Sequence, residues 1–282
     1  MTKKDTPLRL VQLIPNVLTL GALIAGLSSI QLAINGSMAQ AAMLIFIAAI
    51  LDMLDGATAR LLKASSAFGA ELDSLSDFLA FGVAPSVLLY TWSLQEVGKF
   101  GWLAAALYAV ATALRLARYN VLSQKPSETP AWAKGFFAGV PAPGGAGLVL
   151  FPLFVWFQSP IFFNQYNFAA PLICVWTILV AALMVSRLPT FSSKQIKVPS
   201  RMAVPALAII GLLVVCIVQA PWITLAVIGV IYFMSIPFSV RLYRKRAAKA
   251  AAEVTLYDLA LGVDHDNADT VTRKPTHIPT DN

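Results

Sequence analysis

The sequence predicts an all-α polytopic membrane protein of about eight transmembrane helices, and three observations carry that expectation. Of the 282 residues 58% are apolar and only 12% charged, with a mean hydropathy of +0.72, whereas soluble domains carry about a quarter charged residues. Eight apolar runs bounded by charges or by Pro and Gly approach the roughly 20 residues a helix needs to cross a bilayer. When these runs are threaded back and forth through a membrane, twenty of the 21 Lys and Arg residues fall on one side, as the positive-inside tendency requires. The same composition excludes a disordered chain and a disulfide scaffold. Its two cysteines, Cys174 and Cys216, lie in apolar runs and read as small buried hydrophobes.

In chain order the runs cover residues 11–34, 39–60, 72–94, 99–120, 139–158, 168–186, 202–219 and 221–241. The first follows Lys3 and Lys4 but is longer than a signal-peptide core and carries Pro15 and Asn16 near its start, so it reads as an uncleaved span. The fifth is interrupted at its start by Pro141, Pro143 and three nearby glycines. Cations cluster at residues 3–9, 60–63, 115–134, 187–201 and from Arg241 onward, and Lys99 is alone on the other side. This pattern places both termini in the cytoplasm and the protein in the inner (cytoplasmic) membrane. Three segments follow: a cytoplasmic N-terminus at 1–10, a transmembrane domain at 11–243, which holds every candidate site residue below, and a largely disordered cytoplasmic tail at 244–282. The net charge of +7 divides the same way. Residues 1–250 hold 19 cations against 8 acids, and the rest hold 2 against 6.

Four acids lie where acids are expensive. Asp52 and Asp55 end the second run, and Asp73 and Asp77 open the third. An ionised side chain near a bilayer centre costs about 2.5–3.5 kcal/mol or more unless it is paired or coordinates an ion. Asp52 and Asp55 are spaced i,i+3, while Gly69, Asp73 and Asp77 are spaced i,i+4,i+8, so each set forms one helix face. A short cytoplasmic connection makes the two helices antiparallel, with both acidic faces at the same end. Arg60 alone cannot neutralise four converging carboxylates. Their natural counter-charge is one or two hard divalent cations, Mg²⁺, Mn²⁺ or Ca²⁺. Gly56 and Ala59 leave a groove through which a phosphate can reach the backbone, Arg60 offers it a planar cationic fork, and Gly69 permits close approach from the facing helix. Close helix packing is the other use of such glycines.

Together the segment Asp52-x2-Asp55-Gly56-x2-Ala59-Arg60-x8-Gly69-x3-Asp73-x3-Asp77 resembles the signature of the CDP-alcohol phosphatidyltransferase family, with every fixed position filled. That resemblance implies a six-helix catalytic core, here followed by two C-terminal helices. It implies transfer of a phosphatidyl group from a CDP-linked donor to an alcohol, with release of CMP. It assigns Asp52, Asp55, Asp73 and Asp77 to a site for Mg²⁺ or Mn²⁺ able to hold two ions, and Gly56, Ala59, Arg60 and Gly69 to the CDP site. It makes Asp77 the base, although spacing does not fix which acid serves as both ligand and base. A homodimer is implied in the same way, and Gly135 with Gly139 offers a small-residue face compatible with it and equally suited to packing within one chain.

Further stretches are similar to members of that family that use serine: Ile14-Pro15-Asn16 with Thr19, Glu71 to Asp77 continuing through Phe81 to Pro85, Leu114 to Asn120, and Phe137 to Pro143. Asn16 and Thr19 then fall on the nucleotide side, with satisfaction of helix end groups as their other reading. Arg115, Arg118 and Asn120 suit a pocket for an acceptor carboxylate or an anionic phosphate, and the two arginines would otherwise be interface anchors. The implied substrates are CDP-diacylglycerol and L-serine, within a lipid bilayer and without nucleic acid. Glycerol 3-phosphate, inositol phosphate or choline as acceptor keeps the same chemistry. An ion-coupled transporter would use the acids but leaves the Gly56, Ala59, Arg60 and Gly69 spacing unexplained.

Overall fold

The computed structural model describes residues 13–64, 66–123, 136–160, 169–191 and 200–260. Its helices are α1 (Ile14–Ile34), α2 (Met38–Leu61), α3 (Ala67–Asp77), α4 (Ala84–Trp92), α5 (Lys99–Ser123), α6 (Ala142–Val149), α7 (Phe151–Gln158), α8 (Ala169–Val185), α9 (Ala203–Gln219) and α10 (Pro221–Ala260). A π-helical turn, Phe78–Val83, joins α3 to α4 into one apolar rod. Five helices are long and apolar enough to cross a membrane: Ile14–Ile34, Met38–Leu61, Ala67–Trp92, Lys99–Leu122 and Pro221–Ala250. Three shorter apolar helices, Ala142–Gln158, Ala169–Val185 and Ala203–Gln219, fall on the remaining expected runs. The chain is an all-α integral membrane protein.

The third rod starts ahead of its apolar run because Ser66 caps it, its side chain accepting from the Gly69 N–H at 2.9 Å. α10 passes the boundary expected at residue 243 and continues to Ala260. Residues 1–10 and the tail from 261 lie outside the described residues.

Small residues let the first helices pack without a hydrophobic driving force between them. α1 buries Ala22, Ala25, Ser29 and Ala33, and α2 buries Ala41, Ala42, Ile45 and Ala48. The Ser29 hydroxyl donates to the Ala41 carbonyl at 2.8 Å. α1 also crosses the π turn at Gly26, where a Cβ would come within 3.0 Å of the Ala80 Cα and 2.8 Å of the Leu79 side chain.

Two prolines shape the interior by the same device. Proline has no N–H to offer the carbonyl four residues back, and its ring crowds that carbonyl. Pro85 thus frees the Phe81 carbonyl within the π turn, and the Tyr108 hydroxyl on α5 donates to it at 2.8 Å. Pro152 frees the Leu148 carbonyl where α6 breaks to α7, and the Trp176 indole N–H on α8 donates to it at 2.8 Å. In a bilayer no water is present to satisfy such groups. Each break is therefore tied to a neighbouring helix by an aromatic donor.

One short pairing was not expected. Residues 136–138 and 189–191 form two antiparallel strands with Phe137 opposite Thr190. Next to them Gly139 takes a φ of +85° in a bend, its N–H donating to the Leu188 carbonyl at 2.8 Å. Gly139 therefore serves a turn that a side chain would strain. It lies on no helix face, which corrects the small-residue face expected with Gly135, itself outside the described residues.

Tyr108→Phe leaves the Phe81 carbonyl without its side-chain donor and is expected to cost about 1–3 kcal/mol. Thermal unfolding in detergent should show a lowered midpoint, and adding Pro85→Ala, which restores a backbone N–H, should recover much of it. An unchanged midpoint in Tyr108→Phe would refute the role.

Candidate active site

The acids converge as their spacing required. One carboxylate oxygen each from Asp52, Asp55 and Asp73 lies within 4.8 Å of the others. Opposed oxygens around a bound Mg²⁺ or Ca²⁺ are roughly 4.2–5.2 Å apart, so this all-oxygen set has the size and hardness of a divalent-cation site. The Asp77 carboxyl group lies within hydrogen-bonding reach of Asp52. All four thus face one another across the α2–α3 interface.

Neighbouring helices fix their orientation. Asp55 is only 5% exposed and accepts from the Thr19 hydroxyl at 2.6 Å, with the Pro15 carbonyl at 3.0 Å as that hydroxyl's alternate acceptor. The Thr19 carbonyl accepts from the Ser76 hydroxyl at 3.1 Å. Thr19 is therefore a joint among α1, α2 and α3. On α5, the Asn120 side-chain amide donates to the Ser74 hydroxyl at 2.8 Å, tying that helix to the turn between Asp73 and Asp77.

A pocket of about 140 Å³ opens beside the acids. Asn16 and Thr19 from α1, Asp55, Gly56 and Ala59 from α2, and Ser66, Gly69, Ala70 and Asp73 from α3 line it. At Gly69 a Cβ would sit 3.0 Å from the Asn16 side-chain oxygen and 3.1 Å from the Ser66 hydroxyl, so the bare backbone keeps this wall open. The first turn of α3 brings its N–H groups and positive dipole end to the pocket, an arrangement suited to a phosphate. Arg60 is exposed and lies over Gly56, where a Cβ would be 3.5 Å from its Nη1. Every residue expected on the nucleotide side thus lines this pocket or stands at its rim.

The two arginines of α5 diverge. Half-buried Arg115 interacts electrostatically with Asp52 and Asp77. Arg118 donates from Nη1 to the Val185 carbonyl at 2.9 Å and from Nη2 to the Ser186 carbonyl at 3.2 Å. It thereby caps the C-terminal end of α8, where free carbonyls and the helix dipole favour a cation.

Sequence reasoning gave no separate role to Ser66, Ser74, Ser76, Tyr108 or Tyr232. Ser66 had a readable signal, a capping residue ahead of a helix start. Ser74 and Ser76 alternate with apolar residues between acids at membrane depth. The two tyrosines come from distant helices and carry no local signal.

The family model for CDP-alcohol phosphatidyltransferase matches residues 12–188, and that for CDP-alcohol phosphatidyltransferase 2 matches residues 201–237. The chain is 37% identical over 254 residues to the CDP-diacylglycerol–serine O-phosphatidyltransferase of Mycobacterium leprae, covering 89% of this chain and 83% of that protein. The protein of the same name from Helicobacter pylori is 35% identical over 191 residues, 68% of this chain and 77% of its own length. That from Bacillus subtilis is 34% identical over 175 residues, 62% of this chain and 88% of its own. The matched span contains both acidic helices, the pocket between them and the α5 residues that brace them, and on that footing the chain belongs to the CDP-alcohol phosphatidyltransferase family.

Proposed function

We propose that the chain transfers the phosphatidyl group of CDP-diacylglycerol to L-serine, giving phosphatidylserine and CMP. The observation that carries this reading is the convergence of the Asp52, Asp55 and Asp73 oxygens within 4.8 Å beside a pocket walled by Gly56, Ala59 and Gly69. The choice of serine rests on the named relatives. Asp52, Asp55, Asp73 and Asp77 would hold Mg²⁺ or Mn²⁺, one ion or two. A bound divalent cation supplies charge neutralisation at the diphosphate and at the departing phosphate.

The chain's own residues do the rest. Gly56, Ala59 and Gly69 admit the nucleotide diphosphate, while Asn16, Arg60 and the first turn of α3 offer donors to it. Thr19 holds the Asp55 carboxylate in place. Arg115 draws the acceptor's carboxylate toward the acids, and Asn120 acts on the acceptor side by fixing Ser74. An alcohol is a weak nucleophile at neutral pH, so its proton needs a positioned acceptor. Asp77 takes the proton from the serine hydroxyl as that oxygen bonds to the β-phosphorus. The bond from that phosphorus to the bridging oxygen breaks, and CMP leaves with the electron pair.

Residues 11–243 form the catalytic membrane domain, in the inner membrane with both termini and the site facing the cytoplasm. The concentration of cations on that side supports this orientation. Two copies of the chain associate, a reading that rests on the family resemblance.

Purified protein should release CMP from CDP-diacylglycerol when L-serine and Mg²⁺ or Mn²⁺ are present, and a chelator should abolish release. Release only with glycerol 3-phosphate would overturn serine as acceptor, and undiminished turnover after complete demetallation would overturn the metal site. Asp77→Asn should lower kcat by roughly 10²–10⁴-fold while CDP binding, followed by calorimetry, changes little; equal loss of both would make Asp77 a ligand alone. Arg115→Lys should raise the KM for serine about ten- to a hundred-fold, as expected for losing hydrogen bonds to a charged group. An effect confined to the KM of the lipid donor would remove Arg115 from the acceptor side.

A further inference from the structure

α10 carries a charged face that the transfer reaction does not use. From Pro221 to Val240 the helix holds 20 residues without a charge, and at 1.5 Å per residue these span about 30 Å, the depth of a hydrocarbon core. Five cations follow within nine residues: Arg241, Arg244, Lys245, Arg246 and Lys249. No acid occurs between Pro221 and Ala252. The helix does not stop at this boundary but runs on to Ala260, which fixes where the cations stand around its axis.

Four of the five share one side. At 3.6 residues per turn, Arg241, Arg244, Lys245 and Lys249 fall within a sector of about 140°. Arg241, Arg244 and Lys245 are exposed, and among the described residues none of the three meets an acid. Within the apolar part of α10 the same sector carries Val227, Val230, Ile231, Met234 and Phe238, all exposed. Tyr232 lies on the opposite side and interacts electrostatically with Arg115, so the sector faces away from the acids and out to lipid. One outward stripe thus runs from hydrocarbon side chains straight into cations. The headgroup layer beyond the hydrocarbon core is about 5–7 Å deep, and Arg241, Arg244 and Lys245 rise to about 8 Å above Val240, level with that layer.

We propose that this outer face of α10 binds anionic phospholipid, its chains lying along Val227 to Phe238 and its phosphate held by Arg241, Arg244 and Lys245. The inference stands apart from the transfer reaction. Orienting a chain by the positive-inside tendency requires cations on one side of the membrane and is indifferent to where they stand around a helix. Their alignment with the exposed apolar stripe is what a lipid matches, because its phosphate sits directly above its own chains. The planar forks of Arg241 and Arg244 suit phosphate oxygens two at a time. A zwitterionic headgroup brings its own cation to such a cluster, so the face favours lipids with a net negative charge. Each cation close to an anionic membrane surface is worth about five-fold in affinity.

The test titrates the full chain in detergent with phosphatidylglycerol and with phosphatidylcholine and counts bound lipid by native mass spectrometry. Phosphatidylglycerol should bind the more tightly. Arg241→Gln with Arg244→Gln should weaken it roughly ten- to thirty-fold and leave phosphatidylcholine unchanged, whereas Arg241→Lys with Arg244→Lys should keep most of the preference. Arg187→Gln with Arg201→Gln, which removes two exposed cations from other segments, should change it little. Equal losses in the two glutamine pairs would reduce the face to general positive charge and overturn the proposal. Displacement of the lipid by millimolar inorganic phosphate would make it a site for free phosphate, and lipid binding that appears only after residues 261–282 are removed would give the face to that segment. Either result would overturn the proposal as well.

Discussion

Carboxylates held against one another inside an apolar bundle repel, and the rest of the molecule is arranged around that repulsion. Two ionised groups at a separation near 5 Å oppose each other by about 3–4 kcal/mol at an effective permittivity of about 20. Several such pairs rival the roughly 5–15 kcal/mol that stabilises a whole domain. Without external bracing the α2 and α3 ends would separate. Thr19 braces them through its hydroxyl on Asp55 and its carbonyl under Ser76. Asn120 braces them from α5 through Ser74, and Arg115 brings a positive charge toward Asp52 and Asp77. Asp52, Asp55 and Asp73 would hold a divalent cation whose charge would offset the remaining repulsion, coupling ion binding to the packing of this end of the bundle.

The proline breaks serve the same end. Along this rod α5 is bonded at Ser74 by Asn120, at Ser86 through the Ala105 carbonyl, and at the π turn by Tyr108. The Tyr108 hydroxyl donates to the Phe81 carbonyl, four residues before Pro85, whose ring offers it no N–H. Tyr108 precedes Arg115 by seven residues, two helical turns, and therefore shares its face. The bond that satisfies the π turn thus also sets the rotation of α5 that aims Arg115 at the acids. A π turn beside a working site is a recurrent pairing.

Much of this was legible because membranes make sequence signals harsh. Apolar runs had to become helices, and the eight runs coincide with the apolar helices or rods. Aspartates at membrane depth had to converge, and three of them do so within 4.8 Å. What stayed hidden depended on neighbours distant in sequence. Arg115 and Arg118 share residue type and helix and lie one turn apart, yet the exposed carbonyls ending α8 claim Arg118 while the acids face Arg115. The pairing of residues 136–138 with 189–191 is three residues long, too short for any alternation to announce it.

α2 orders the chemistry by depth. A helix rises 1.5 Å per residue, so from Ala42 to Arg60 it spans about 27 Å, nearly the whole hydrocarbon core. Along it come the apolar cavity wall at Ala42, Ile45 and Ala49, then Asp52 and Asp55, then the open backbone at Gly56 and Ala59, and last the exposed cation Arg60. A two-tailed nucleotide lipid presents its own groups in that order, from hydrocarbon through diphosphate to a water-facing nucleotide. Matching the two sequences of polarity lets the lipid enter sideways from the bilayer without lifting its tails into water, which would cost about 0.8 kcal/mol per methylene. Acids set between that apolar wall and the exposed Arg60 suit a phosphorus whose lipid keeps its tails among hydrocarbon.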